Sequence, residues 1–146
     1  TAHARAAGAA AQAAGDEAVA WEARILEAEA ELDAGAEAAA RRLLPGCAQV
    51  PERHRLHCAD VLSRALFDED GAAAQDVMRA ALGSDAAGPD AVARRAVLTY
   101  NLAVLEASAA PDGARARLKD ALVLATEAGD TELAATIAGA LQELTP

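Results

Sequence analysis

Aromatic side chains are almost missing from this 146-residue chain: one Trp, one Tyr and one Phe, 2% in all. β-Branched residues are sparse as well, which removes the usual material of a pleated sheet. With only two cysteines the chain has no disulfide framework of the kind that holds small secreted domains together. No stretch approaches the roughly 18 apolar residues of a membrane span, and no signal-peptide pattern opens the chain. Positive charge is scarce too: 13 Lys and Arg stand against 23 Asp and Glu, a net charge of −10 and a pI near 4.6. Such a surface repels phosphate backbones and anionic membranes, so neither nucleic acid nor membrane is an expected partner. Together these absences point to a cytoplasmic, reducing location. There is also no Gly-rich phosphate loop, no G-x-S-x-G and no H-E-x-x-H. No catalytic residue, cofactor or metal is expected, and the chain does not read as an enzyme.

What is abundant is alanine, 45 residues or close to a third of the chain. Alanine is the best helix former and lets helices approach closely, so the expected class is all-α. The length suits a single domain, 1–146, with a sizeable core. The chain starts at Thr1 and enters a helical pattern at once, which reads as an excised piece of a longer polypeptide. About eight helices are expected: 2–14, 17–34, 36–44, 52–68, 72–83, a pair within 90–128, and 131–144. Gly15-Asp16 and Gly129-Asp130 serve as stop-and-cap signals, Pro89-Asp90 opens the sixth helix, and Pro111-Asp112-Gly113 forms the turn inside the pair.

The two Ala-Gly-Asp signals, at Ala14 and Ala128, lie 114 residues apart. Three helix pairs fit between them at a mean period near 38, in the range of two-helix repeats of about 34 to 47 residues. The second helices align as Ala39/Leu43/Gly46, Ala74/Met78/Ala81 and Ala114/Leu118/Ala121. Tyr100-Asn101-Leu102-Ala103, a turn, and then Ala114, Leu118 and Ala121 resemble the tetratricopeptide repeat. Ala74, Met78 and Ala81 repeat the second half of that signature, and Pro51, twelve residues after Ala39, stands where such repeats often close. Ala103 replaces the family's usual glycine. The resemblance implies a right-handed α-solenoid with repeats at about 17–50, 51–88 and 89–129 and partial repeats at 1–16 and 130–146. Alanine-rich, imperfect repeats with Ala-Gly-Asp helix ends are also similar to the solenoids of large actinobacterial regulators, which stand beside nucleotide-binding and helix-turn-helix domains.

In tetratricopeptide repeats the first helix of each pair builds a concave wall that commonly binds peptides. The resemblance places His57, Asp60, Arg64, Tyr100 and Val104 on that wall, with Glu22, Ile25 and Glu29 from the first repeat. The family's clamp for a C-terminal carboxylate needs Lys and Asn; here Asp60 and Tyr100 take the Lys-type place, and Arg64 and Val104 the Asn-type one. Binding of chaperone tails is therefore not implied, and the wall packing against neighbouring domains is an equal reading.

Cys47, His54, His57 and Cys58 fall within twelve residues and invite a zinc reading. The spacing argues against it: His54 and Cys58 share a helical face, but His57 and Cys58 point about 100° apart. Cys58 reads instead as a small apolar core residue. Glu27 and Glu31 read as a solvated face, Asp68-Glu69-Asp70 as a turn too short for a calcium loop, and the arginine pairs Arg41-Arg42, Arg53 with Arg55, Arg94-Arg95 and Arg115 with Arg117 as partners of acids. The leading expectation is an interaction and scaffolding module, serving as a regulatory or signal-relay segment of a larger bacterial transcriptional regulator. It would bind a protein, a peptide or neighbouring domains, and self-associate through exposed solenoid ends. An all-α domain that senses a small molecule is the alternative, and an enzyme using the Cys/His cluster a third. A four-helix or irregular bundle is the alternative fold.

Overall fold

The computed structural model describes residues 2–87 and 90–144. Among them the protein is entirely helical, with no strand: α1 (Ala2–Asp33), α2 (Glu37–Leu43), α3 (Glu52–Leu66), α4 (Gly71–Leu82), α5 (Ala91–Glu106), α6 (Pro111–Ala128) and α7 (Thr131–Glu143).

Seven helices stand where about eight are expected, because α1 runs straight through Gly15-Asp16. Gly15 has helix-forming neighbours on both sides, and an added Cβ there would touch nothing. A mid-helix glycine costs about 1 kcal/mol relative to alanine. Stopping the helix there would need tertiary contacts to reward the turn, and residues 12–17 are exposed. The same tripeptide at Ala128 behaves as expected. Gly129 takes φ 73°, its N–H reaches the Thr126 carbonyl and that of Asp130 reaches Ala125, the paired bonds of a Schellman motif. Asp130 then caps α7 by accepting from the Leu133 N–H at 3.0 Å. Asp70 does the same for α4 through Ala73. The mean period of 38 thus loses its first marker.

Two other local expectations shift. Pro111-Asp112-Gly113 is the first turn of α6 rather than the connection, which lies at 107–110; proline tolerates that position because its missing N–H would have no partner there anyway. In α2 the buried residues are Ala40 and, just beyond, Leu44, one place after Ala39 and Leu43, and Gly46 lies in the loop. Ala74/Met78/Ala81 and Ala114/Leu118/Ala121 are all buried as aligned. Pro89, expected to open a helix, lies outside the described residues.

The interior divides into three apolar cores. Ile25, Ala28, Ala40, Leu44, Val50, Cys58, Val61, Leu62 and Ala65 join α1, α2 and α3. Leu56, Ala59, Ala74, Met78, Ala81, Ala86, Leu98 and Leu102 join α3, α4 and α5. Ala96, Ala103, Ala114, Leu118, Ala121, Ala125 and Ile137 join α5, α6 and α7. Consecutive cores share a helix: α3 gives one face to the first and another to the second, and α5 does so for the second and third. The substantial helix contacts among the described residues are all between elements one or two apart in chain order. Most of these core residues are small, so helix backbones sit close and each core gains its stability from apolar area removed from water rather than from a few large rings.

Candidate functional site

Helices α1, α3 and α5 carry a connected band of charged side chains. His57, Asp60 and Arg64 are spaced three and four residues apart on α3, which puts them on one helical face. Glu29 of α1 meets two of them: its Oε2 lies 3.1 Å from His57 Nε2 and accepts a hydrogen bond from Arg64 Nη2 at 3.3 Å. Asp60 is only 14% exposed. Its Oδ1 sits 3.3 Å from Arg64 Nε, and its Oδ2 sits 3.7 Å from Arg94 Nη1 at the start of α5. Asp60 Oδ1 and Arg64 Nε are close enough to attract but are not aligned as a hydrogen bond. Attraction between partly shielded charges survives such geometry, because a Coulomb term falls only with distance and effective dielectric.

His57, Asp60 and Arg64 are therefore brought together, and Glu29 joins them from α1. Tyr100 and Val104 lie further along α5, away from this charge band, in a separate hollow of about 260 Å³ also lined by Ala103, Ala107, Leu118 and Leu144. Tyr100 packs on the third core, while Val104 stays exposed. The five expected wall residues thus divide into a charged part and an apolar part. Arg94 completes the charged part and was legible only as half of an arginine pair; its partner sits 34 positions earlier in the chain, which no local pattern signals.

A second set of ion pairs ties successive helices together elsewhere. Glu106, 11% exposed at the end of α5, accepts from Arg79 of α4 at 2.9 Å and from Arg117 of α6 at 2.8 Å. Arg41 of α2 reaches Glu69 at 2.9 Å and the Ala65 carbonyl at 3.0 Å. Arg95 donates to the carbonyls of Leu82, Ser84 and Ala86, closing the end of α4. Arg115 donates to the Leu144 carbonyl and so reaches the end of α7. These arginines pair mainly across helices, not along their own.

The cysteines depart most from expectation. Cys47 and Cys58 form a disulfide, Cα to Cα 5.8 Å, which fastens the α2–α3 loop to the middle of α3. Cys58 is fully buried, as a small core residue should be, but it is not a free thiol. Both sulfurs being oxidised, neither is available as a thiolate ligand. Among the described residues no group of three or more His, Cys, Asp and Glu side chains could hold a metal ion. Also among them, no helix is long and apolar enough to cross a membrane.

A further hollow lies beside this disulfide. It has a volume of about 490 Å³ and is walled by Cys47 and Ala48 of the loop, Arg55 of α3, Asp76, Val77, Ala80 and Ala81 of α4, and Ser84. None of the expected wall residues touches it. No family model, curated protein or solved structure matches the chain.

Proposed function

We propose that this chain is an interaction and scaffolding module, a right-handed tetratricopeptide-like solenoid that works as a regulatory or relay segment of a larger bacterial transcriptional regulator and is not an enzyme. The observation that carries this reading is the sharing of helices between successive cores. α3 and α5 each face two cores, and among the described residues the substantial packing runs between near neighbours in the chain. A stack of helix pairs must do this, since one pair cannot bury both faces by itself. The band from Glu29 through His57, Asp60 and Arg64 to Arg94 supports the idea of a continuous wall built by α1, α3 and α5. Tyr100 and Val104 extend the wall with apolar surface for a protein or peptide partner.

Self-association tests the scaffolding role, because apolar side chains stand exposed on the outer elements: Val19 at 65% and Leu26 at 51% on α1. Sedimentation from micromolar to millimolar protein should show a rising mass that Val19→Glu with Leu26→Glu abolishes. A monomer throughout that range would count against the module. A cytoplasmic setting belongs to the same reading and requires the Cys47–Cys58 bond to be reduced there, since disulfides rarely persist in that compartment. Mass spectrometry after alkylation of protein extracted from the cell would decide between the two thiols and the bond.

One observation favours a second reading, an all-α domain that senses a small molecule. The hollow beside the disulfide has a volume in the range of ligand sites, about 300–1,000 Å³, and mixes apolar walls with two charged side chains.

A further inference from the structure

The geometry points to the groove between the α2–α3 loop and α4 as a binding site for a small carboxylate with an apolar body, held by Arg55. This deepens the second reading and rests on it.

Ala48, Val77, Ala80 and Ala81 give the groove apolar walls, with the edge of the Cys47–Cys58 bond beside them. Among the described residues Arg55 is its one cationic lining residue. One end of that guanidinium is anchored, Nη2 donating to the Val50 carbonyl at 3.1 Å. A carboxylate is the acceptor that matches a guanidinium best in both charge and geometry. The fixed Nη2 bond means that little side-chain freedom remains to be lost when a ligand arrives.

Two features oppose an anion here, and both are blunted. The C-terminal end of α4 directs carbonyl oxygens and partial negative charge toward this region, but Arg95 covers the carbonyls of Leu82, Ser84 and Ala86. Ser84 Oγ donates to the Ala81 carbonyl at 2.7 Å. Asp76 stands on the rim, 80% exposed and 3.7 Å from Arg79, so water and its own cation screen it. An apolar cation would have only Asp76 to meet, at a wet edge. An uncharged apolar molecule would gain the apolar walls but nothing from the Arg55 charge.

Titration with octanoate, octylammonium and octanol tests the assignment on the intact disulfide-bonded chain, followed by calorimetry and by the Val77 methyl resonances. Octanoate is expected to shift Val77 and to bind at least tenfold more tightly than the other two. Arg55→Gln should weaken octanoate at least tenfold and leave octanol unchanged. Because Arg55 also holds the loop through Val50, the exposed groove residue Ala80 gives an independent variant: Ala80→Trp fills the space and should abolish binding while the Arg55 bond to Val50 stays in place. If octylammonium or octanol binds the groove as tightly as octanoate, the carboxylate assignment is overturned while a small-molecule site stands. If none of the three moves Val77, both the assignment and the second reading fall.

Discussion

The Cys47–Cys58 bond gives the most quantitative expectation. It closes a loop with a sequence separation of 11. In the chain-entropy description, a cross-link over about a dozen residues removes roughly 9 to 10 cal/mol/K from the unfolded chain, or about 3 kcal/mol at 25 °C. The folded loop has anchors that do not depend on sulfur. Val50 is buried in the first core, its N–H reaches the Cys47 carbonyl at 3.2 Å, and its carbonyl accepts from Arg55. Reduction should therefore leave the native arrangement in place and act mainly by freeing the unfolded state. Against a typical domain stability of about 5–15 kcal/mol the loss is large, and for a chain of this size it corresponds to roughly 6–12 °C in Tm. Urea unfolding of the oxidised protein, the reduced protein and Cys47→Ser measures it. The reduced and substituted forms should agree, with a lower midpoint and a somewhat steeper slope, because an uncrosslinked unfolded chain exposes more surface. A loss below about 1 kcal/mol, or two titratable thiols in protein never exposed to reductant, would refute the reasoning.

Met78→Ala should cost about 2–5 kcal/mol, since Met78 is fully buried in the second core among alanines that cannot expand to fill the gap; urea unfolding reads it. Glu106→Gln weakens two ion pairs at once, and with both arginines part exposed the expected loss is about 1–2 kcal/mol, shrinking with salt; double-mutant cycles with Arg79→Gln and Arg117→Gln should show coupling to each. Gly15→Ala should raise helix content and stability by up to about 1 kcal/mol, while Gly129→Ala, at φ 73°, should cost about 1 kcal/mol; circular dichroism with thermal unfolding separates them, and equal effects would mean that α1 stops at Gly15 after all.

Those two glycines also show where local pattern suffices and where it fails. The sequence Ala-Gly-Asp is a competent stop at 128–130 because α7 folds back and packs Ile137 into the third core, which rewards the turn. Residues 12–17 have no such reward, and the identical tripeptide stays helical. Helix class, the capping aspartate at 130, and the small-large-small alignment in α4 and α6 were legible because each depends on neighbours three or four positions away. The one-residue shift in α2 was not: it is set by how the loop after Leu44 tucks Val50 into the first core. The same folding-back brings Cys47 to Cys58, so a disulfide that the count of two cysteines argued against forms from a tertiary contact. Likewise His57, Asp60 and Arg64 were placed together by the repeat register that the resemblance implies, whereas the pairing of Asp60 with Arg94 depends on the packing of α3 against α5.

That pairing bears on what the proposed wall would recognise. Glu29 and Asp60 bring two negative charges, Arg64 and Arg94 two positive ones, and each lies within ion-pair distance of another across or along the helices. A wall of this kind is nearly neutral despite the acidity of the whole chain, so long-range steering of a basic peptide to it would be weak. A charged partner would have to replace pairs that already exist, and replacing one half-shielded pair by another yields little net free energy. Affinity would then have to come from apolar contact, for which Val104 and the neighbouring hollow, rather than the charges, supply exposed surface. On that argument Val104→Asp should weaken a partner on this wall more than Arg64→Gln does, and the charge band serves chiefly to hold α1, α3 and α5 in register.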